Sequence, residues 1–500
     1  MTSTQTSLTE LHIPEARDYP MFVDGAWVDA ISGQWSEVTT PILREHVIGR
    51  VPSSGTEDVD RAVRAAQKAF PRWRSQHFTA RGRILSQIAD AIDARAEELA
   101  RLTALDTGNA LRTQARPEVA TLANLFRYFA GVAGEIKGTV LPAGDDQLQY
   151  SRQEPLGVIG CILPWNSPLM IAGFKIPAAL VAGNTVVVKA AEAAPLSVLL
   201  LAEICAEFLP AGVLNVITGS GRVAGEALVQ HPDVDKISFT GSTEVGRRVA
   251  REAGGRLAHV SLELGGKNPS IVFPDVDIDD DFINQLLLST RVHRQGQSCT
   301  AGSRLFLHQD IYDEVLDRLV NTLAALKVGN PLDESTDMGA IINETQFASV
   351  CGFLDDGLSS TQVATVLDGS PAKVPNSDGY YMGPTVFSGA DNSWRLSREE
   401  IFGPALVAIP WNDHSDVIDM ANDSHYGLAA YVWTHNLDLA LSTAHALETG
   451  WVQVNQGGGQ MVGQSYGGYK QSGLGREVSL EGMIAGFTQT KQVNVRLRTL

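Results

Sequence analysis

Cysteine is scarce in this sequence, with four residues in 500, at positions 161, 205, 299 and 351. They are widely spaced and form no C-x-x-C pair. That excludes a cysteine zinc site and a disulfide framework, and it fits a reducing compartment. No metal site is expected. Positive charge is also short, with 39 Lys and Arg against 57 Asp and Glu and a net charge of −18. Nucleic acids and anionic membrane surfaces demand clustered cations, so neither is an expected partner. Long apolar runs are missing too. The stretch "FKIPAALVAGNTVVVKA" is interrupted by Pro177, Asn184 and Lys189, short of the roughly twenty residues a membrane span needs. The opening "MTSTQTSLTELHIPEARDYP" is polar and lacks the order of a secretory leader. Together these absences predict a cytoplasmic protein.

What is present reads as a globular chain of more than one domain, because 500 residues exceed the roughly 250–300 that a single core supports. "FVDGAWVD" and "VIGRVPSSG" read as short strands with glycine turns, and Asp58 to Leu105 reads as helical with a stop at Gly108. Strand and helix then alternate: "NTVVVKA" with "LSVLLLAEICAEFL", "LNVITG" with "RVAGEALVQ", "KISFTG" with "STEVGRRVAREAG". Such repeats predict a parallel, doubly wound sheet. A second set, from "PSIVFPD" through "SRLFLH" and "LVAIPW" to "LAAYVWT", predicts a second α/β domain.

Two glycine turns follow predicted strands, "GSGRVAG" with Gly221 and Gly225, and "GSTEVG" with Gly241. Either suits phosphate at a helix N-terminus, although neither is G-x-G-x-x-G and each also fits an ordinary connection. On pattern alone "GSGRVAG" is the better fingerprint. Lys189 and Glu192 fall at the carboxyl end of a predicted strand, where such sheets bind ligands. In "RQGQSCTAGSR", Cys299 sits among small and polar residues. A packed core thiol is the ordinary alternative to a reactive one there.

Seven motifs in order, "PWNSP", "KAAE", "FTGSTEVG", "LELGGKNP", "GQSC", "EEIFGP" and "YGGYKQSGLGRE", carry a resemblance to the NAD(P)-dependent aldehyde dehydrogenase superfamily from about residue 20 to 495. The resemblance implies an α/β fold of three parts. These are a Rossmann-type nicotinamide-binding domain (20–134 and 155–266), a second α/β catalytic domain (267–466) and a small β-strand oligomerisation arm (135–154 and 483–500). The tail "KQVNVRL" suits an edge strand and predicts a homodimer or homotetramer.

By the same resemblance Cys299 is the nucleophile that forms a thiohemiacetal and then a thioester, and Asn166 supplies an oxyanion N–H. Glu263 between two leucines is the base that activates water, with a raised pKa expected, and Glu477 with Lys175 forms a second proton relay. The cofactor, NAD with NADP as an alternative, falls to Ile162, Pro164, Trp165, Asn166, Lys189, Glu192, Gly221, Gly225, Phe239, Gly241, Ser242, Glu263, Gln346, Glu400 and Phe402. Here the resemblance gives the pyrophosphate to the "GSTEVG" helix and the adenosine side to "GSG". Glu192 would repel a 2′-phosphate, which favours NAD.

The substrate tunnel is assigned to Ser167, Ile171, Phe174, His293 and Gly458, with His293 also readable as a helix-face residue. Ser167 and Gly457–Gly459 stand where bulkier residues are common in relatives, and Arg294 where asparagine is. The expectation is a roomy, partly polar tunnel for a bulky aromatic or terpenoid aldehyde. Three rival readings are a cofactor-independent thiol hydrolase, a non-catalytic protein retaining the fold, and an acylating enzyme that makes CoA thioesters. Glu263 argues against the last.

Overall fold

The computed structural model describes residues 13–372, 374 and 377–498; the segment 1–12, part of the stretch read as unlike a leader, lies outside the described residues. Among those described, no helix is long and apolar enough to cross a membrane. The run read as helical from Asp58 to Leu105 is three helices, Thr56–Arg74, Phe78–Ala94 and Ala96–Thr107, and Gly108 ends the last in the left-handed region at φ 78°.

The first large sheet has eight strands. Its centre is five parallel strands in the spatial order His259–Glu263, Lys236–Thr240, Val158–Ile162, Thr185–Lys189, Leu214–Ile217. Short antiparallel strands close both edges, Gly473–Leu474 at one and the hairpin Met21–Val23 and Ala26–Val28 at the other. Val158–Ile162, Thr185–Lys189 and Leu214–Ile217 are buried along their whole length, as expected where helices cover both faces of a parallel sheet. From Val158–Ile162 the chain builds outward through the next two strands. It then returns to lay Lys236–Thr240 on the other side of the first. This reversal makes a topological switch point between Val158–Ile162 and Lys236–Thr240, and such crevices open at the carboxyl ends of the strands.

Linking Val158–Ile162 to Thr185–Lys189 is the helix Pro168–Ala182, buried at every position but Met170. A helix apolar all round suits an enclosed position. Pro168 in its first turn has φ already set for a helix, and Gly183 at φ 98° stops it.

The second large sheet has seven strands, in the order Ala364–Leu367, Thr385–Ser388, Ala405–Trp411, Arg304–His308, Pro269–Val272, Ala429–Trp433, Trp451–Val454. All its pairings are parallel except the first. A third sheet pairs Thr488–Arg496 with Gln147–Pro155, which in turn pairs with Val140–Leu141, all antiparallel, so Thr488–Arg496 lies at an edge. A fourth, of three strands, joins Arg17–Asp18, Val47–Pro52 and Trp35–Thr39.

Candidate active site

The chain crosses from the first large sheet to the second through "LELGGKNP". Glu263 ends a strand of one, and Pro269 begins a strand of the other. Gly265 sits in the crossing because an added Cβ would meet Glu400 Oε2 at 2.2 Å. The loops that bring Cys299 and Glu400–Phe402 lead into the second-sheet strands Arg304–His308 and Ala405–Trp411. They pack on each other at Gly296, at φ 64°, where a Cβ would meet Gly403 O at 1.9 Å.

Between these loops and the switch point of the first sheet lies a cleft of about 250 Å³, bordered by Pro164, Trp165, Asn166, Thr240, Gly241, Ser242, Glu263, Leu264, Gly265, Cys299, Gln346, Glu400 and Phe402. Trp165 and Gln346 also border a neighbouring recess of about 450 Å³ that includes Glu192, Glu37 and Asn343. Ser242 caps the helix Thr243–Gly255 at the cleft, its Oγ accepting from the Val245 N–H at 3.4 Å. The free N–H groups and positive dipole end of that helix favour an anion. Lys189 and Ile162, ends of adjacent strands, are paired in register. Burial pushes the Lys189 ammonium down to about 8, against the opposing pull of Glu192. Trp165 meets Phe402 edge to face with ring centres 5.3 Å apart, and the Gln346 Nε2 donates to Phe402 O at 3.0 Å.

Gly221 and Gly225 lie on the turn after Leu214–Ile217, two strands from the switch point, and border neither space. Strand order is the reason that "GSTEVG", not the better-looking "GSGRVAG", stands at the crevice. Phe239 is buried in the strand before Gly241.

Cys299 is only partly buried, and its Sγ lies 3.6 Å from the Tyr466 hydroxyl. Burial pushes the thiol up to about 11; Glu400 and Glu263 add to that, while Tyr466 and Arg294 oppose it. Asn268 fixes the backbone here, its Nδ2 donating to Cys299 O at 2.8 Å and to Ala301 O at 2.9 Å. The Asn166 Nδ2 donates to Gln297 O at 2.9 Å, and Asn109 in turn donates to Asn166 O at 3.0 Å.

Both Glu263 oxygens are buried without a hydrogen-bond partner. Burial holds this carboxyl well above its usual range, Glu477 raises it further, and Lys175 and Arg476 draw it back. Lys175 and Glu477 pair at 2.8 Å with both side chains sealed. Ser238 joins them, accepting from Lys175 at 2.9 Å and donating to Glu477 at 2.9 Å. Burial also raises Glu400, to about 7, while its Oε1 accepts from Gly266 N at 3.0 Å.

The residues assigned to a tunnel divide. Ile171 and Phe174 are buried on the central helix, and Phe174 stacks at a tilt with Tyr466, ring centres 5.8 Å apart. Ser167 is buried and accepts from Arg294 Nη2. His293 is half-buried. It lies inside a one-turn helix, Val292–Arg294, with Nδ1 buried and unpartnered, and burial drops it to about 3. An added Cβ at Gly458 or Gly459 meets nothing within 4 Å, whereas at Gly457 it would meet Gln285 O at 1.9 Å. Gly457 is therefore a close backbone approach and not free tunnel space. Tyr466, Asn268 and Asn109 escaped the sequence reading, although the first two stand inside quoted motifs.

Comparison with known proteins gives a consistent result. The aldehyde dehydrogenase family matches residues 27–493. A hydroxyisobutyraldehyde dehydrogenase of Mycolicibacterium austroafricanum is 40% identical over 480 residues, 95% of this chain and 94% of that one. An aldehyde dehydrogenase of Alternaria alternata is 39% identical over 482 residues, 95% of each. The solved NAD+ complex of an aldehyde dehydrogenase from Bacillus cereus superposes with a TM-score of 0.92 at 36% identity, covering 100% of this chain and 99% of that chain.

Proposed function

The chain belongs to the aldehyde dehydrogenase family, and from that premise we propose that it oxidises an aldehyde to the carboxylic acid with NAD, through a covalent intermediate on Cys299. The observation that carries this reading is the meeting of Cys299, Glu263 and Asn166 in one cleft that also holds a helix N-terminus.

These residues fit a dinucleotide. Ser242 and the helix it caps suit the pyrophosphate, Lys189 and Glu192 the adenosine ribose, and Glu400 and Phe402 the nicotinamide end. Glu192 sets a negative charge against a 2′-phosphate, which favours NAD over NADP. NAD, when bound, supplies the acceptor for the hydride that leaves the substrate carbon.

The protein's own groups do the rest. The Cys299 thiol gives up its proton to solvent in the cleft, and the Sγ thiolate adds to the carbonyl carbon, whose oxygen takes the negative charge. Asn166 Nδ2 turns from Gln297 O to the new oxyanion, a contact of the kind worth about 2.7–4 kcal/mol in other enzymes. After oxidation the substrate is a thioester on Cys299. Glu263 then takes a proton from water, the water oxygen bonds to the carbonyl carbon, and the carbon–sulfur bond breaks to release the acid. The Lys175–Ser238–Glu477 group beside Glu263 is the onward path for that proton.

Open space beside Gly458 and Gly459 supports a bulky aromatic or terpenoid aldehyde. At Ser167 that support fails, because Arg294 stands there. The edge strand Thr488–Arg496 supports pairing into a homodimer or homotetramer. Four free cysteines support a reducing, cytoplasmic setting. The test is absorbance at 340 nm with aldehydes and NAD, then NADP. Reduced cofactor should form in the wild type, faster with NAD, and fall to background in Cys299→Ala that still binds NAD. Equal rates in the two proteins would overturn the reading.

A further inference from the structure

Arg294 is a cation with little reason to be where it is. It lies five residues before Cys299 and reaches Ser167, the residue after Asn166, so both ends of its contact are tied to residues bordering the cleft. Val292, Gln295, Gly296 and Gln297 around it are sealed, yet 19% of the Arg294 side chain stays accessible. Cys299 keeps accessible surface as well.

Its charge is poorly answered. Glu118 Oε2 is 3.9 Å from Arg294 Nη2, too long for a hydrogen bond. The other Glu118 oxygen is spent on the Leu169 and Met170 N–H groups at 2.9 and 3.1 Å. Arg294 Nε is buried with no partner, and so are Glu118 Oε2, Gln114 Oε1 and His293 Nδ1. Gln114 Nε2 is occupied by His293 O. The nearby Arg291 differs, because its guanidinium donates to Leu288 O, Gly457 O, Gly458 O and the Tyr431 hydroxyl. Arg291 holds the loop together; Arg294 does not.

Buried polar atoms are normally paired, and here Arg294 Nε and Glu118 Oε2 are not, while Arg294 keeps accessible surface on which a further acceptor can bind. We infer that Arg294 is a specificity-determining residue that receives an oxygen substituent of the aldehyde, a hydroxyl or a carboxylate, on the part of the substrate remote from the carbonyl. This inference rests on the aldehyde-oxidising reading above and names the substrate class for it. A hydroxyl would accept from the accessible part of the Arg294 guanidinium, with Glu118 behind it. A carboxylate would pair with the guanidinium and require Glu118 to hold a proton.

The experiment compares butanal, 4-hydroxybutanal and 4-oxobutanoate as substrates with NAD, in the wild type, Arg294→Met and the double variant Arg294→Met/Glu118→Leu, which leaves no lone buried charge. At least one oxygenated aldehyde should exceed butanal in kcat/KM by about tenfold or more, the scale of one hydrogen bond to a charged group. The hydroxyl and carboxylate arms tell the two oxygens apart. In the variants that preference should shrink to within about threefold, through KM more than kcat. Butanal preferred or equal in the wild type overturns the inference, as does a preference that survives in the folded double variant. Turnover of none of the three by protein that oxidises a bulky aromatic aldehyde with NAD overturns this inference alone; failure with that aldehyde as well, in protein that binds NAD, overturns the reading on which it rests.

Discussion

A half-buried thiol beside two carboxylates resists losing its proton, and Cys299 has Glu263 and Glu400 for neighbours. The Tyr466 hydroxyl and the Arg294 charge pull the other way without winning, and the thiol stands at about 11. In the free protein it is therefore mostly protonated at neutral pH, and it becomes reactive only as pH rises toward that value. Iodoacetamide labelling of Cys299, followed by mass spectrometry without cofactor, should be slow at pH 7 and still climbing above pH 9. Tyr466→Phe should move the climb upward. A rate already level below pH 8 would contradict this. The Tyr466 neighbour was not legible from local sequence. Tyr466 is 167 residues from Cys299, and nothing in "YGGYKQSG" says which tyrosine turns inward. The elevated Glu263 carboxyl, by contrast, was readable from its two flanking leucines.

Strands and helices were largely readable, because apolar runs such as "TVVVK" and "LNVI" are short, β-branched and bounded by turns. Their lateral order was not. The switch point exists because Lys236–Thr240 pairs with Val158–Ile162 and not with Leu214–Ile217, and no local pattern encodes that choice. Pattern alone thus ranked Gly221 and Gly225 above Gly241. At Gly457 the missing side chain looked like space, but the Gln285 carbonyl comes close there. The central helix is tied to the C-terminal segment by the sealed Lys175–Glu477 pair. Removing one partner of such a pair strands a buried charge, at a cost of about 3–5 kcal/mol. Lys175→Met should therefore lose about that much stability in urea unfolding. Lys175→Met/Glu477→Leu should recover much of it. Equal stability of Lys175→Met and the wild type would show that the pair carries no such weight.

At the scale of the whole molecule, the segment Thr488–Arg496 leaves one long edge unpaired among the described residues, with Val495 exposed on it. Sedimentation velocity should find a dimer or tetramer, and Val493→Pro/Val495→Pro should shift it toward monomer; a monomeric wild type would contradict the proposed assembly. The alternation in "KQVNVRL" made this strand legible. The Arg294–Ser167 contact, 127 residues apart, could only come from the folded chain. The central claim is that one cleft joins thiol, water-activating carboxylate and cofactor in a single reaction, and intact-mass spectrometry tests it most directly. Glu263→Gln mixed with NAD and an aldehyde should carry the mass of one acyl group, absent without NAD and absent when Cys299→Ala is added. Acylation without NAD, or acylation that persists without Cys299, would contradict the account.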